Sequence, residues 1–221
     1  YYLNKISASG EQLLDLIDKV LEIAWTGSDD IRITETECSL IDILENVKNT
    51  YRNLAQEKNI SITLDTSGLT HSDVCGDQDK MERFLSYLTH NAVKYTQKGG
   101  SITICATELN TLPNDHAVYQ FVVEDDGIGI SHEFLGHIYE PFEREKNTTF
   151  SGVIGTGLGL TIVKNIVTVM GGTIEVQSTL GNGTKFTVTL RLRTQNHPIP
   201  FHMSTEETIA YLSDRKILLV E

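Results

Sequence analysis

The chain has 221 residues, of which 39% are hydrophobic and 22% are charged, enough for one complete domain with shorter segments attached. A formal net charge of −12 argues against nucleic acid or an anionic membrane as a partner, because lysine and arginine would have to dominate one face. The three cysteines show no metal-ligand spacing and no apolar run approaches the roughly 20 residues of a membrane span, so we expect a cytoplasmic domain with reduced thiols.

The chain begins with an amphipathic segment that stands apart from the rest. Apolar residues recur with a helical period over residues 3–24, and a polar break follows at residues 27–30. We therefore assign residues 1–27 to a separate helix and residues 28–193 to the main domain. Because the first residue is Tyr1 rather than methionine, we expect a fragment of a longer protein.

The first half of the main domain alternates helix and strand patterns. Ser39 is placed to cap a helix over residues 40–58, and a second helix over residues 78–94 carries a continuous apolar face. Short strands with alternating apolar residues are predicted at Ile31 and Ile33, at residues 60–64, at residues 102–106 and at residues 119–123.

The second half begins with an irregular segment. Residues 131–154 mix charges with proline, threonine and serine, which predicts a short helix followed by a mobile lid. Residues 158–170 predict a largely buried helix that ends at a pair of glycines. Two strands, at residues 174–176 and 186–192, then pair across a turn rich in glycine.

The last part of the chain changes character twice. Residues 194–215 are mainly polar and contain two prolines, which is typical of a linker. Residues 216–221 form an apolar run that ends on an acid, which indicates the first strand of a further domain.

An aspartate followed by alternating glycines gives the first functional signal. Asp125 closes the strand at residues 119–123, and Gly127 and Gly129 follow it. A carboxylate there can accept a hydrogen bond from the exocyclic amino group of adenine, whereas guanine presents a carbonyl at that position. The alternative interpretation is an ordinary turn, since aspartate and glycine are common turn residues.

Two further patterns complete a candidate nucleotide site. Gly155, Thr156, Gly157, Leu158 and Gly159 directly precede the buried helix, so the first amides of that helix could face phosphate oxygens. A flexible hinge is the alternative. The spacing fits neither the Rossmann glycine pattern nor the P-loop, which needs a Gly-Lys-Ser or Gly-Lys-Thr sequence.

Three polar residues share one face near the end of the second helix. Asn91, Lys94 and Tyr95 lie at i, i+3 and i+4. Asparagine can supply an oxygen to Mg²⁺, lysine can neutralise phosphate charge, and tyrosine can stack on a base. The alternative is a solvated helix face.

These patterns together resemble the boxes of sensor histidine kinases, and their order and spacing agree over about residues 31–192. The matching stretches are Asn91 to Thr96 for the N box, Asp125 to Gly129 for the G1 box, Glu140 to Phe142 for the F box, Gly155 to Leu160 for the G2 box, and Gly181 to Thr184 for a final glycine motif.

The resemblance implies an α+β fold, the two-layer sandwich of the Bergerat (GHKL) type, in which a mixed sheet carries helices on one face. It implies ATP and Mg²⁺ as cofactors, with Asn91 as the metal ligand. Beyond the motifs above, Ile130 and Phe142 are nucleotide-binding residues by resemblance, and Arg144 is a candidate for contacting the γ-phosphate.

The resemblance also implies the surroundings of the domain. The amino-terminal helix is similar to the second helix of a dimerisation hairpin, and residues 216–221 are similar to the first strand of a receiver domain. We therefore expect a hybrid kinase that forms a homodimer, contacts its own phosphoacceptor hairpin and receiver, and is an inner-membrane sensor. The phosphoacceptor histidine is expected outside this chain, because none of the seven histidines has the family's surrounding sequence.

Two departures from the family pattern leave alternatives open. Tyr87 occupies the position of a second asparagine one turn before Asn91, and His90 precedes Asn91 where small or acidic residues are commoner. A degenerate scaffold that acts through dimer and receiver contacts is therefore a rival hypothesis. An ATPase clamp of the gyrase or Hsp90 type is a third hypothesis. That group uses a glutamate one turn before the asparagine, and this chain has Tyr87 there instead.

Overall fold

The computed structural model describes residues 33–145 and 156–195. The predictions for the amino-terminal helix, for the linker beyond Gln195 and for the final strand therefore lie outside the described residues. The same holds for Ile31, for Gly155 and for residues 146–154 of the predicted lid.

Helices and strands follow the predicted order with few changes. The strands are β1 (Thr36–Ser39), β2 (Ser61–Gly68), β3 (Asp73–Gly76), β4 (Ser101–Leu112), β5 (His116–Asp125), β6 (Thr173–Ser178) and β7 (Thr184–Thr194). The helices are α1 (Leu40–Glu57), α2 (Gln78–Tyr95), α3 (His132–Leu135) and α4 (Gly159–Val169).

Within the described ranges, the strands form one sheet in the order β1-β3-β7-β5-β4-β2, and β6 also pairs with β7. The β2–β4 pair is parallel and the other pairs among these strands are antiparallel. The sheet is therefore mixed, as predicted. The long β4–β5 and β5–β7 pairs form its centre and set the end of β5, where Asp125 lies, beside the start of β7.

The two long helices begin at side-chain caps. The Ser39 hydroxyl accepts a hydrogen bond from the amide of Asp42 at 3.3 Å, which confirms the predicted start of α1. The Asp77 carboxylate accepts one from the amide of Lys80 at 3.1 Å and so starts α2. Each cap satisfies an amide that the first turn of a helix leaves without an intrahelical partner.

The core lies between the helices and one face of the sheet. Alternate residues of the central strands are buried, and they meet the apolar stripes of α1, α2 and α4. The Phe84 ring of α2 packs edge-on against Phe121 of β5 with 5.8 Å between the ring centroids. Truncating either ring would cost about 3–5 kcal/mol, so this layer fixes α2 on the sheet and with it the residues that α2 brings to the site.

Three local predictions differ from the structure. The predicted strand at Ile33 is wrong, because the first strand begins at Thr36 and the Ile33 side chain is exposed. The four-residue strand β3 was not predicted, because it is too short to show a period. Strands β4 and β5 extend to a hairpin turn at Asn114 and Asp115, both of which have positive φ.

Candidate nucleotide site

A cavity of about 70 Å³ opens where the end of β5 meets the carboxyl end of α2 and the start of α4. Ten residues line it: Asn91, Tyr95, Asp125, Ile128, Gly129, Ile130, Glu145, Leu160, Thr184 and Phe186. The cavity therefore combines an apolar wall with a few polar groups.

Asp125 presents its carboxylate to this cavity. One oxygen accepts a hydrogen bond from the amide of Gly127 at 2.9 Å, and the backbone of Thr184 also donates to the group. Burial nevertheless raises the pKa of Asp125 to about 6, because these hydrogen bonds do not replace the lost hydration and because Asp126 and Glu124 add negative charge nearby. The carboxylate is thus held in the wall at an energetic cost, as is common for ligand-binding groups.

The loop after Asp125 requires glycine at two positions. A side chain at Gly127 would lie 2.6 Å from the carbonyl oxygen of Tyr95, and Gly129 has a φ of +67° with the carbonyl of Thr179 directly against it. The loop is therefore wedged between the end of α2 and the β6–β7 turn. The amide of Ile128 donates to the Tyr95 carbonyl at 3.3 Å and fixes the loop on the helix side.

The β6–β7 turn holds the other side of this loop. The Ser178 hydroxyl accepts a hydrogen bond from the amide of Ile130 at 2.8 Å and donates to the Gly183 carbonyl at 2.8 Å. The amide of Gly181 donates to the Ile128 carbonyl at 2.7 Å. These bonds place Ile130 in the cavity wall and keep Thr184 beside Asp125.

The end of α2 supplies Asn91 and Tyr95 to the cavity. Burial raises the pKa of Tyr95; the nearby charge of Arg144 lowers it and that of Glu145 raises it. The Lys94 ammonium lies 5.2 Å from the centroid of the Tyr95 ring, and the described part of the cavity lining does not include Lys94. Asn91 and Tyr95 are thus brought together as predicted from their helical spacing, with the Lys94 ammonium over the tyrosine ring.

The glycine loop packs directly against the F box. Gly157 has a φ of +73°, and a side chain there would lie 2.7 Å from the carbonyl carbon of Phe142. The amide of Phe142 donates to the Gly157 carbonyl at 3.1 Å. Phe142 itself has a φ of +67° and a side chain that is 62% exposed. Within the described residues, the cavity lining includes neither of them.

The remaining loop residues sit at the start of α4. The amide of Leu158 donates to the Thr156 hydroxyl at 3.4 Å, and the Leu158 side chain is fully buried under the loop. Gly159 is the first residue of the helix, and a side chain there would lie 3.5 Å from the Tyr87 ring. The departure at Tyr87 therefore places an aromatic ring against the amino-terminal end of α4.

Sequence reasoning missed several residues of the cavity. Thr184, Phe186, Leu160 and Glu145 line it. Leu160 and Thr184 fall within matched glycine motifs but were not named as nucleotide-binding residues, and a Glu145 oxygen accepts a hydrogen bond from the Ser131 amide at 3.2 Å. The register that sets Thr184 opposite Asp125 is the signal that could have identified Thr184. For Glu145 no local signal exists, since it follows the F box without a pattern of its own.

The residues present suit a purine nucleotide with a divalent cation. The apolar wall fits a base, and Asp125 is an acceptor for an exocyclic amino group. Among residues 33–145 and 156–195, no group of three or more histidine, cysteine or acidic side chains could hold a metal ion by itself. The amide oxygen of Asn91 is a group that Mg²⁺ could take as a ligand, since this ion needs few protein ligands and completes its shell with phosphates and water.

Fold and site together define an ATP-binding α/β sandwich with its ligand cavity at the carboxyl end of the N-box helix. Residues 76–194 match the family model described as histidine kinase-, DNA gyrase B-, and HSP90-like ATPase, which is more than half of the chain. The chain belongs to this family. The match confirms the predicted fold class. The individual relatives show which branch of the family the chain resembles.

The relatives are sensor histidine kinases. The chain is 32% identical over 216 residues to the autoinducer 2 sensor kinase/phosphatase LuxQ of Vibrio parahaemolyticus, a match that covers 96% of this chain and 25% of that protein. It is 28% identical to hybrid signal transduction histidine kinase B of Dictyostelium discoideum, over 96% of this chain and 11% of that protein. The chain is thus an ATP-binding catalytic domain of the sensor histidine kinase type.

A solved structure supports the same conclusion. Full-length ShkA in complex with AMPPNP superposes with a TM-score of 0.76 at 27% identity, covering 90% of this chain and 40% of that one. The chain spans no more than about a quarter of the length of the curated relatives it matches. What the whole protein does is therefore a matter for proposal.

Proposed function

We propose that this domain binds Mg²⁺-ATP in the cavity beside Asp125 and presents the γ-phosphate to a histidine of its parent sensor kinase. The observation that carries the proposal is the cavity itself, in which an acceptor for the adenine amino group, an apolar wall and Asn91 meet. The similarity to ShkA, which was solved with AMPPNP, supports the nucleotide class.

Asp125 selects the nucleotide by its base. An ionised carboxylate accepts a hydrogen bond from the 6-amino group of adenine, whereas the 6-carbonyl of guanine would place two acceptors face to face. Leu160 and Phe186 enclose the base and Tyr95 closes one side of it. The cavity thus favours ATP over GTP.

The phosphates extend from the cavity toward the start of α4. Amides at a helix amino terminus favour anions, and the glycine loop from Gly155 to Gly159 leads into that terminus. Lys94 and Arg144 add positive charge near Tyr95, with Arg144 the residue for the γ-phosphate. Bound Mg²⁺ would neutralise the phosphate charge, with Asn91 as a protein ligand.

The wider setting of the domain is proposed from the same relatives. Residues 1–27 form the second helix of a dimerisation hairpin, residues 194–215 a linker and residues 216–221 the start of a receiver domain, as in a hybrid kinase. We expect a homodimer, with the domain in the cytoplasm below an inner-membrane sensor. Within the described residues, no helix has the length and apolar character to cross a membrane.

A degenerate scaffold is the second candidate, and the position of Tyr87 favours it. The ring lies against Gly159 at the start of α4, one helical turn before Asn91. A phenol there is a poorer ligand for Mg²⁺ than an amide oxygen, and its bulk narrows the approach of the phosphates.

Calorimetric titration with ATP, with and without Mg²⁺, distinguishes the two candidates. We expect the unaltered chain to bind ATP more tightly with Mg²⁺ than without it. Asn91→Ala should lose this dependence on Mg²⁺, and Tyr87→Asn should bind Mg²⁺-ATP several-fold more tightly than the unaltered chain. If the unaltered chain does not bind ATP and Tyr87→Asn does, the scaffold hypothesis would replace the kinase hypothesis. Transfer of label from ATP to histidine in the full-length parent tests the catalytic step.

A further inference from the structure

A second carboxylate faces the cavity in addition to Asp125. Glu145 lies in the segment that follows α3 and is one of the residues that line the cavity. One of its oxygens accepts a hydrogen bond from the amide of Ser131 at 3.2 Å, and Ser131 directly follows the Asp125–Ile130 loop. The side chain is thus held at the edge of the same loop that carries the adenine-binding aspartate.

Glu145 lines the same cavity as Tyr95 and Asn91. Its carboxylate is tied to the amide of Ser131, directly after the loop that begins at Asp125. The tie holds Glu145 at the loop that carries the proposed adenine acceptor, whereas Asn91, the proposed ligand for Mg²⁺, is supplied by α2. This placement favours the nucleoside part of ATP as the partner of Glu145.

The chemistry of ATP leaves one partner for this carboxylate. The triphosphate carries negative charge and would repel it. A carboxylate is an acceptor only, so it needs hydrogen-bond donors. ATP offers two kinds, the 6-amino group of adenine and the 2′- and 3′-hydroxyls of ribose, and Asp125 takes the first. Ribose lies next to the base, and Glu145 is held directly after the loop that begins at Asp125.

We propose that Glu145 binds the ribose hydroxyls of the nucleotide and makes the site selective for ribonucleotides over deoxyribonucleotides. An acidic side chain plays this role toward the ribose of dinucleotides in other folds, because one carboxylate can accept from both hydroxyls of a vicinal diol. The inference rests on the proposed function, since it assumes that ATP occupies this cavity.

The test compares ATP with 2′,3′-dideoxy-ATP by calorimetry on the 221-residue chain. The unaltered chain is expected to bind ATP at least about tenfold more tightly, which is typical for hydrogen bonds to a charged group. In Glu145→Ala the ratio should fall to within about twofold through weaker ATP binding. Glu145→Gln should lower it less, and Glu143→Gln, an exposed carboxylate two residues away, should leave it unchanged.

Dideoxy-ATP also serves as the control for folding, because its affinity should be the same in every variant. Equal affinity of the unaltered chain for both nucleotides, or an unchanged ratio in Glu145→Ala, would overturn the ribose assignment alone. A loss in Glu145→Ala that is equal for both nucleotides and requires Mg²⁺ would assign Glu145 to the metal instead. Failure of the unaltered chain to bind either nucleotide would overturn the proposed function and this inference with it.

Discussion

Two carboxylates on the same β-hairpin, Asp125 in the nucleotide cavity and Glu108 near the opposite end, have opposite energetic roles. They lie about six residues apart along β4 and its partner, or roughly 20 Å. Burial dominates at Asp125 and raises its pKa to about 6. Burial also acts on Glu108, but hydrogen bonds from His71 and Thr111 more than compensate and hold its pKa below the ordinary value.

The difference lies in how many donors each carboxylate receives. The Glu108 side chain is only 4% exposed, yet it accepts from the amide of His71 at 2.8 Å, from the His71 ring at 3.0 Å and from the Thr111 hydroxyl at 3.1 Å. Asp125 receives backbone amides only and faces open space. Glu108 therefore stabilises the folded chain, whereas Asp125 retains acceptor capacity for a ligand at a cost in stability.

The largest expected effect is on nucleotide binding at Asp125. In Asp125→Asn we expect ATP affinity to fall by about a hundredfold or more, because the amide loses the charge that accepts the adenine amino group. The free energy of unfolding at pH 7.5 should not fall. Titration calorimetry and urea unfolding measure the two quantities. Glu124→Gln, an exposed neighbour paired with Lys185, is the matched control and should bind normally; equal loss in both variants would contradict the assignment.

The converse change is expected at Glu108. Glu108→Ala should lower the free energy of unfolding by about 2 kcal/mol, because it leaves the amide and ring of His71 without their acceptor. ATP affinity should stay within about twofold, given the distance from the cavity. Urea unfolding of this variant beside Glu124→Ala separates the effect from the loss of a surface charge. Parallel loss of ATP affinity would show that the two ends of the hairpin are coupled.

Lys58, which caps the carboxyl end of α2, is expected to affect both stability and ATP binding. The Lys58 ammonium donates to the carbonyls of Val93 and Lys94 at 2.7 and 2.9 Å, the last turn before Tyr95. Lys58→Met should cost about 1–2 kcal/mol of stability and weaken ATP binding about threefold, because a charge at a helix carboxyl terminus is lost. Lys58→Arg should recover part of both. Lys48→Met, in a half-buried pair with Glu45 on the surface of α1, is the control, and an equal cost there would argue against a specific cap.

The smallest expected effect is on how the stability of Asp125→Asn depends on pH. The folded chain binds a proton on Asp125 up to about pH 6 and the unfolded chain only to about 3.8, so this group stabilises less as pH rises through that window. The stability of Asp125→Asn relative to the unaltered chain should therefore increase by about 1 kcal/mol from pH 5 to pH 7.5. Because the pKa of Glu108 is lowered, the stabilisation that this carboxylate provides is lost only at lower pH. A flat difference for Asp125→Asn in urea unfolding would refute the raised pKa.

Much of the fold could be predicted because its signals are local. Ser39 and the apolar period after it gave the first helix, and the alternation around Phe121 gave a central strand. Strand β3 was missed because four residues show no period, and Ile33 was wrongly placed in a strand because two alternating residues suffice to imitate one.

The nucleotide site divides in the same way. Asp125, the glycines that follow it and the Asn91–Tyr95 pair could be predicted from the amino-acid sequence, because each depends on spacing within one turn or one helix. Thr184 was predicted only as part of a glycine motif. Its place beside Asp125, and that of Glu145 in the cavity, depend on strand pairing and loop packing between distant parts of the chain. The raised pKa of Asp125 is likewise a property of burial, which the chain acquires only when its layers close over the cavity.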